Sequence, residues 1–220
     1  MSKQYTSRYK ILVNFASRSR PEAFKSRILE LQNLATNPIR IIASIDNDDE
    51  YLEEYMMCDV TFSVGTSFSK VHAINRSVPD DDWDILVNTS DDMEFITQGW
   101  DQIIQKAMEE HFPDTDGFLH FPDGYTGQRL CSLSIIGRKY YDRFGYVYHP
   151  DYLSLWCDNE AKDVAELLGK YAYIDEELFK HQHPANTGKG MDEQYKKTES
   201  YNDVDNATYL NRKYNKHFDL

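Results

Sequence analysis

In Asp84-Ile-Leu-Val-Asn-Thr-Ser-Asp-Asp-Met-Glu94 a run of four strand-forming or apolar positions, Ile85 to Asn88, leads into two adjacent carboxylates. Parallel α/β sheets place their ligand sites at the carboxyl ends of strands, which puts Asp91 and Asp92 at the rim of a sheet. Two anionic side chains held together repel each other. A cation or a hydrogen-bonded sugar hydroxyl relieves that repulsion, so the pair points to a metal held near phosphates. Taken alone, Asp-Asp reads equally well as an acidic turn facing water.

Upstream, Tyr9 to Phe15 reads as a strand, and Pro21 suits the first turn of a helix whose Phe24, Ile28, Leu31 and Leu34 recur at helical spacing. Asn37-Pro38 ends that helix, and Ile39 to Ile45 is a second apolar strand running into Asp46-Asn-Asp-Asp49. Strand, helix, strand is a βαβ unit. A short helix through Met56, a strand over Val60–Val64 and a helix over Lys70–Arg76 fill the gap before Ile85. Beyond it, Trp100 to His111 has the spacing of an amphipathic helix, followed by strands at Gly117–Phe121 and Leu130–Ile136. The Pro122–Gly127 loop between them is turn-rich and expected to be mobile. A short helix at Arg138–Phe144, a longer one at Asn159–Leu168, a strand at Tyr171–Ile174 and a helix from about Asp192 complete the pattern. The tail beyond either packs or frays.

At 220 residues the chain suffices for one large domain, and a formal charge of −13 opposes binding to a nucleic-acid backbone. Its longest apolar runs fall far short of the roughly 20 residues that span a bilayer. No apolar signal core precedes Ile11, so a cytoplasmic location is expected. Cys58, Cys131 and Cys157 are odd in number and widely spaced, which argues against a disulfide framework and a structural zinc site.

Several further groups carry chemistry. Ala16-Ser17-Arg18-Ser19-Arg20, at the end of the first strand, offers hydroxyls, N–H groups and guanidinium groups to a nucleotide or its diphosphate. Asp46 ends the second strand and can accept hydrogen bonds from a base or ribose, while Lys70 and Asn75 lie before the central strand, within reach of the base. His181-Gln-His-Pro184 sets two imidazoles on one side of an extended segment, and either can ligate a manganese or magnesium ion that bridges the protein to a diphosphate. In Trp156-Cys-Asp-Asn-Glu160 an aromatic platform precedes Asp158 and Glu160, the arrangement that a general base acting on an acceptor hydroxyl requires. Asp158 also suits a helix cap.

In this order the parts resemble the GT-A glycosyltransferases, and within them the family 2-like enzymes: Val13 to Pro21, Ser44 to Asp46, Ser90 to Met93, Trp156 to Glu160 and His181 to Pro184. The resemblance implies a GT-A (Rossmann-like) domain over residues 1–220, a mostly parallel sheet flanked by helices. Its nucleotide-binding half would cover about 9–95 and its acceptor-side half about 96–184, with a C-terminal helix and tail over 185–220. It further implies that Ser17, Arg18 and Asp46 bind the nucleotide, usually uridine, with Lys70 and Asn75 as additions. Asp91 would approach the ribose or donor sugar, Asp92 and His183 would hold Mn2+ or Mg2+, and Asp158 would be the base of an inverting transfer, with Glu160 as second choice. The usual Asp-x-Asp has Ser90 in place of its first aspartate.

The implied reaction moves a hexosyl or pentosyl group from a UDP-sugar to an acceptor that is a saccharide, lipid, protein or modified nucleic-acid base. The Pro122–Arg129 loop is expected to order over the donor as a lid. A nucleotidyltransferase and a non-catalytic nucleotide- or sugar-binding module are the alternatives. The first usually carries a glycine-rich phosphate loop, and Ala16 to Pro21 contains no glycine.

Overall fold

The computed structural model describes residues 8–188 and 190–220; Met1–Ser7, where no leader core is expected, and Lys189 in the polar C-terminal segment lie outside it. Strand β1 (Ile11–Ala16) feeds helix α1 (Pro21–Leu34), which opens on Pro21 and stops short of Asn37-Pro38. Strand β2 (Arg40–Asp46), a single turn α2 (Leu52–Tyr55), strand β3 (Thr61–Gly65) and helix α3 (Lys70–Arg76) follow. Ser69 caps α3 by accepting a hydrogen bond from the His72 N–H at 3.0 Å. Strand β4 (Ile85–Ser90), the short β5 (Met93–Phe95), helix α4 (Trp100–His111), strand β6 (Phe118–His120) and strand β7 (Ile135–Gly137) come next. The remainder is α5 (Arg138–Tyr141), α6 (Cys157–Leu167), β8 (Tyr171–Tyr173), β9 (Phe179–His181), α7 (Pro184–Thr187), α8 (Glu193–Glu199) and α9 (Asn202–Asn215).

Seven strands form one sheet in the order β3-β2-β1-β4-β7-β6-β8. All pairings are parallel except those of β7 with β4 and β6. Both faces are covered, so the central strands are largely apolar, and their side chains alternate sides with period two. Val13, Phe15, Ile85 and Val87 point to the α1 and α4 side, where Phe24, Leu31, Trp100 and Ile104 meet them. Leu12, Ile42 and Leu86 point to the side of Val71, Ile74, Tyr140, Val164 and Tyr209. After β1 the chain lays β2 and β3 to one side and then crosses back to place β4 on the other. The two carboxyl ends at that reversal, Ala16 and Ser90, sit opposite each other in register. A crevice outside such a reversal is where open α/β sheets bind ligands.

One difference from the sequence expectations has a local cause. Of Leu130–Ile136 only the end pairs, because Asp123 accepts hydrogen bonds from the Tyr125 and Thr126 N–H groups and the Ser132 hydroxyl and so curls the preceding chain into a turn. Of the two outcomes left open for the polar tail, it packs: Asp205, Tyr209 and Arg212 of α9 are buried, as is Phe218 beyond it. A separate two-stranded antiparallel sheet of β5 and β9 was not anticipated. Among the described residues no helix is long and apolar enough to cross a membrane.

His120 is buried in β6, with Nδ1 2.7 Å from the Tyr171 hydroxyl. Burial, aided by the charge of Lys162, lowers its pKa from 6.5 to about 4. Between those values the unfolded chain binds the proton that the folded one refuses. Stability is therefore expected to fall as the pH drops from about 6.5 to about 4. Comparing the pH dependence of urea denaturation in wild type and His120→Gln checks this, since the variant must show a shallower loss.

Candidate active site

The crevice is a cleft of about 370 Å³, lined by the ends of β1, β2 and β4, by α3, by the start of α6 and by the segment from His181 through α8. At the end of β1 the buried Ser17 hydroxyl donates to Asp91 Oδ2 at 2.7 Å. Ser19 then takes a left-handed backbone (φ +57°), held by its N–H donating to Asp49 Oδ2 at 2.7 Å. That turn brings Arg20 back over the cleft. Its Nη1 donates to Asp91 Oδ1 at 2.8 Å, while Nε and Nη2 grip both oxygens of Asp192 at 2.9 and 2.8 Å. The guanidinium carbon lies 4.0 Å above the Tyr195 ring. Arg18 turns the other way, to Asp46 at 2.5 Å and Asp48 at 2.9 Å. Arg76 approaches the second oxygen of Asp46 at 3.5 Å.

The two central carboxylates have opposite electrostatics. Burial and the neighbouring Asp92 charge push the Asp91 pKa up, against Arg20 and Ser17. Asp92 is partly buried, which by itself raises its pKa, but the hydrogen bond and charge of His181, the charge of Lys70 and the Ser90 hydroxyl hold it well below the usual carboxylate range. Asp92 is thus the member that stays charged. Ser90 Oγ donates to Asp92 Oδ1 at 2.5 Å, and the Tyr195 hydroxyl donates to Oδ2 at 3.2 Å. The serine in the position of the usual first aspartate therefore orients the second.

Strand β9 pairs His181 with Met93, and the Gln182 N–H donates to the Asp92 carbonyl at 2.7 Å. This small sheet is what carries His181 to Asp92, with Nε2 3.4 Å from Oδ2. His183 also lines the cleft, its ring centre 5.5 Å from that of His181 and edge-on to Tyr195 at 4.8 Å. Burial, then the His181 charge, lowers its pKa. At the opposite wall Trp156 adopts a left-handed backbone (φ +62°) at the start of α6 and sets Asp158 into the cleft. Burial raises the Asp158 pKa, opposed by a backbone hydrogen bond from the Asn159 N–H at 2.9 Å and by the charge of Lys70. Lys70, first residue of α3, is exposed at the cleft and acts on both Asp92 and Asp158.

No family model and no curated protein matches the sequence. Solved structures do match by shape. The mannosyltransferase PcManGT from Pyrobaculum calidifontis, in complex with GDP-Man and Mn2+, superimposes with TM-score 0.60 at 12% identity over 78% of this chain. Glucosyl-3-phosphoglycerate synthase from Mycobacterium tuberculosis, in complex with Mn2+, UDP and phosphoglyceric acid, does so with TM-score 0.58 at 11% identity over 80% of this chain and 71% of its own. A cytidylyltransferase from Leptospira borgpetersenii matches with TM-score 0.50 at 13% identity, over 77% of this chain and 76% of its own. The chain has the GT-A fold. It spans 55% of the length of the mannosyltransferase.

Within this GT-A sheet the cleft gathers Ser17, Arg18, Asp46, Lys70, Asp91, Asp92, Asp158 and His183. Asn75 and Glu160 lie outside it. The Asn75 amide donates to the Tyr148 carbonyl at 2.7 Å and accepts from the Val147 and Tyr148 N–H groups, tying α3 to the chain before α6. Glu160 is buried, accepting from the Tyr152 hydroxyl at 2.6 Å and from Arg212 Nε at 2.8 Å. Both satisfy buried polar groups, which leaves neither free for a substrate. Among the described residues no three His, Cys, Asp or Glu side chains form a ready-made metal cage. One charged carboxylate beside imidazoles instead fits an ion that completes its shell with phosphate oxygens and water.

Arg20 and Tyr195 line the cleft without having been named as site residues, and Arg76 backs Asp46 from outside the lining. His181, offered by the sequence as one of two possible metal ligands, is the imidazole that meets Asp92. Arg20 stands in a quoted motif, but nothing local marks its partners. In the Pro122–Arg129 loop, expected as a lid, Asp123 accepts from the Tyr125 and Thr126 N–H groups and Thr126 lines the cleft; α8 lines it too, through Tyr195, Lys197 and Glu199. Helix α8 has no buried residue, and Asp192 is its N-cap. Removing Arg20 releases charge-assisted hydrogen bonds worth about 1.5–3 kcal/mol each. Arg20→Ala is accordingly expected to speed limited trypsin cleavage after Lys196 or Lys197 by roughly tenfold or more. An unchanged rate would show that α8 is held by something else.

Proposed function

We propose that this chain moves a sugar from a nucleotide-sugar, a UDP-sugar by preference, to an acceptor hydroxyl with inversion at the anomeric carbon. One observation carries the reading: two part-buried carboxylates of the same cleft, Asp92 and Asp158, have environments that push their pKa values in opposite directions. Such a split assigns different jobs to chemically identical groups. Asp158, with its raised pKa, is the proton acceptor for the attacking hydroxyl. Asp92, kept charged, is the cation-binding group, with His183 as its expected partner and His181 as the imidazole already against it.

A divalent ion, Mn2+ or Mg2+, would supply electrostatic stabilisation to the charge that grows on a leaving diphosphate. The chain's own groups do the rest. Ser17, Arg18 and Asp46, at the ends of β1 and β2, hold the nucleotide, and Asp91 faces the ribose or donor sugar. Lys70 and Arg20 add positive charge at the cleft where negative charge develops. As Asp158 takes the acceptor proton, the acceptor oxygen bonds to the anomeric carbon and the bond from that carbon to the diphosphate oxygen breaks. The 9–95 portion thus serves the donor, and the 96–184 portion supplies Asp158 to the acceptor and His183 to the metal.

Calorimetry with nucleoside diphosphates and nucleotide-sugars, each with Mn2+, Mg2+ or chelator, tests this. One UDP-sugar is expected to bind only with metal, and Asp92→Asn to abolish that binding. Asp158→Asn should bind the donor normally and turn over about 10²–10⁴ times more slowly. Absence of metal-dependent nucleotide binding would end the proposal, and full turnover by Asp158→Asn would remove the inverting mechanism.

A further inference from the structure

The chain between Tyr152 and α6 is built around a carboxylate from a distant helix. Asp205 of α9 is fully buried, and it accepts hydrogen bonds from three consecutive backbone N–H groups, those of Leu153 at 2.9 Å, Ser154 at 2.8 Å and Leu155 at 2.8 Å. Successive N–H groups that converge in this way form a concave anion site. Here the anion is the protein's own side chain. The next residue, Trp156, has the left-handed backbone, a conformation that costs a non-glycine residue roughly 1–3 kcal/mol and persists only where its surroundings impose it.

Those surroundings come from one face of α9. The Trp156 indole N–H donates to Asn202 Oδ1 at 3.1 Å, and its ring packs on Tyr209 with centroids 5.3 Å apart. Asn202, Asp205 and Tyr209 follow helical spacing, so a single helix face grips the turn at three levels. From the other side the Val71 N–H, next to Lys70, donates to the Leu153 carbonyl at 3.2 Å. Ser154, Leu155, Cys157 and Asp158 emerge from this turn into the cleft.

We infer that Asp205 is a positioning residue: by closing the Leu153–Leu155 amides around its carboxylate it fixes the left-handed turn at Trp156 and, through it, the place of the Asp158 carboxylate. This rests on the reading of Asp158 as proton acceptor. Displacing a reacting group by about 1 Å costs on the order of 10²-fold in rate. Asparagine keeps the size of Asp205 but turns an N–H₂ group toward amide donors, so the nest loses part of its closure.

Asp205→Asn is expected to lower turnover roughly 10- to 100-fold while donor affinity stays within about twofold, because the β1, β2 and β4 ends are untouched. In an Asp158→Asn background the same change should have almost no further effect, since the group it positions is gone. Asp101→Asn is the matched control. Asp101 is equally buried and accepts from the Thr36 N–H, the Asn37 N–H and the Asn37 amide, at 2.7, 2.9 and 2.8 Å, far from the cleft. It should lower stability and leave turnover of the folded enzyme intact. Equal losses in both backgrounds, or donor affinity falling together with turnover, would overturn the inference. Amide exchange supplies a readout that needs no substrate: Leu153, Ser154 and Leu155 must exchange faster in Asp205→Asn while β1 and β4 do not. Unchanged exchange refutes the clamp outright, whereas full turnover by Asp158→Asn refutes the assignment of the base and leaves the clamp standing.

Discussion

Two adjacent aspartates, one buried and one partly so, facing the same cleft, set the constraint that the rest of the structure answers. An uncompensated buried charge costs several kcal/mol, so each carboxylate must find partners or hold a proton. For Asp91 the partners are Ser17 and Arg20, and reaching it requires the left-handed turn at Ser19. For Asp92 they are Ser90, Tyr195 and His181. His181 arrives only because β9 leaves the main sheet and pairs with β5 immediately after the aspartates. Features that look separate along the chain, a strained serine, an isolated two-stranded sheet and a C-terminal helix, thus serve one electrostatic need.

A second need lies directly beneath. Asn14 and Asn88 face each other in the middle of the β1–β4 pair, both buried. Their amides are satisfied by the Ile74 carbonyl, by the Ser77 hydroxyl and, more loosely, by one another and by the Tyr148 hydroxyl. A polar seam of this kind holds α3 and the Tyr148 segment at fixed height on the sheet, because any slip would strand a buried donor. Lys70 and the chain leading to Asp158 are thereby referred to the same two strands that carry Ser17 and Asp91.

Local patterns were legible in the sequence where one periodicity dominated. The bounds of α4 could be read from spacing alone, and α1 from Pro21 together with Phe24, Ile28 and Leu31. The sheet-end carboxylates Asp46 and Asp92 were legible as cleft residues because strands announce their own ends. What stayed hidden was pairing at long range. Nothing near Arg20 reveals Asp192, and nothing near Leu153 reveals Asp205, since each contact is made by folding. For the same reason polar side chains at plausible positions misled: Asn75 and Glu160 carry the right chemistry, but the backbone at Tyr148 and the guanidinium of Arg212 had prior claim on them.

The two C-terminal helices illustrate how differently the same polar composition can be used. Helix α9 is anchored by groups that never meet the cleft: Arg212 on Glu160 and Asp219, and Tyr209 on Asp163. Its position is part of the core, and it transmits that rigidity to the turn at Trp156. Helix α8 has no such root. It is held through Asp192 and Tyr195, whose partners are Arg20 and Asp92, groups of the cleft itself. A ligand that took Arg20 from Asp192 or Asp92 from Tyr195 would loosen α8, and by linkage whatever stabilised those contacts would weaken that ligand by the same factor. The contacts that hold α8 are thus drawn from the cleft, whereas those that hold the wall bearing Asp158 are drawn from α9.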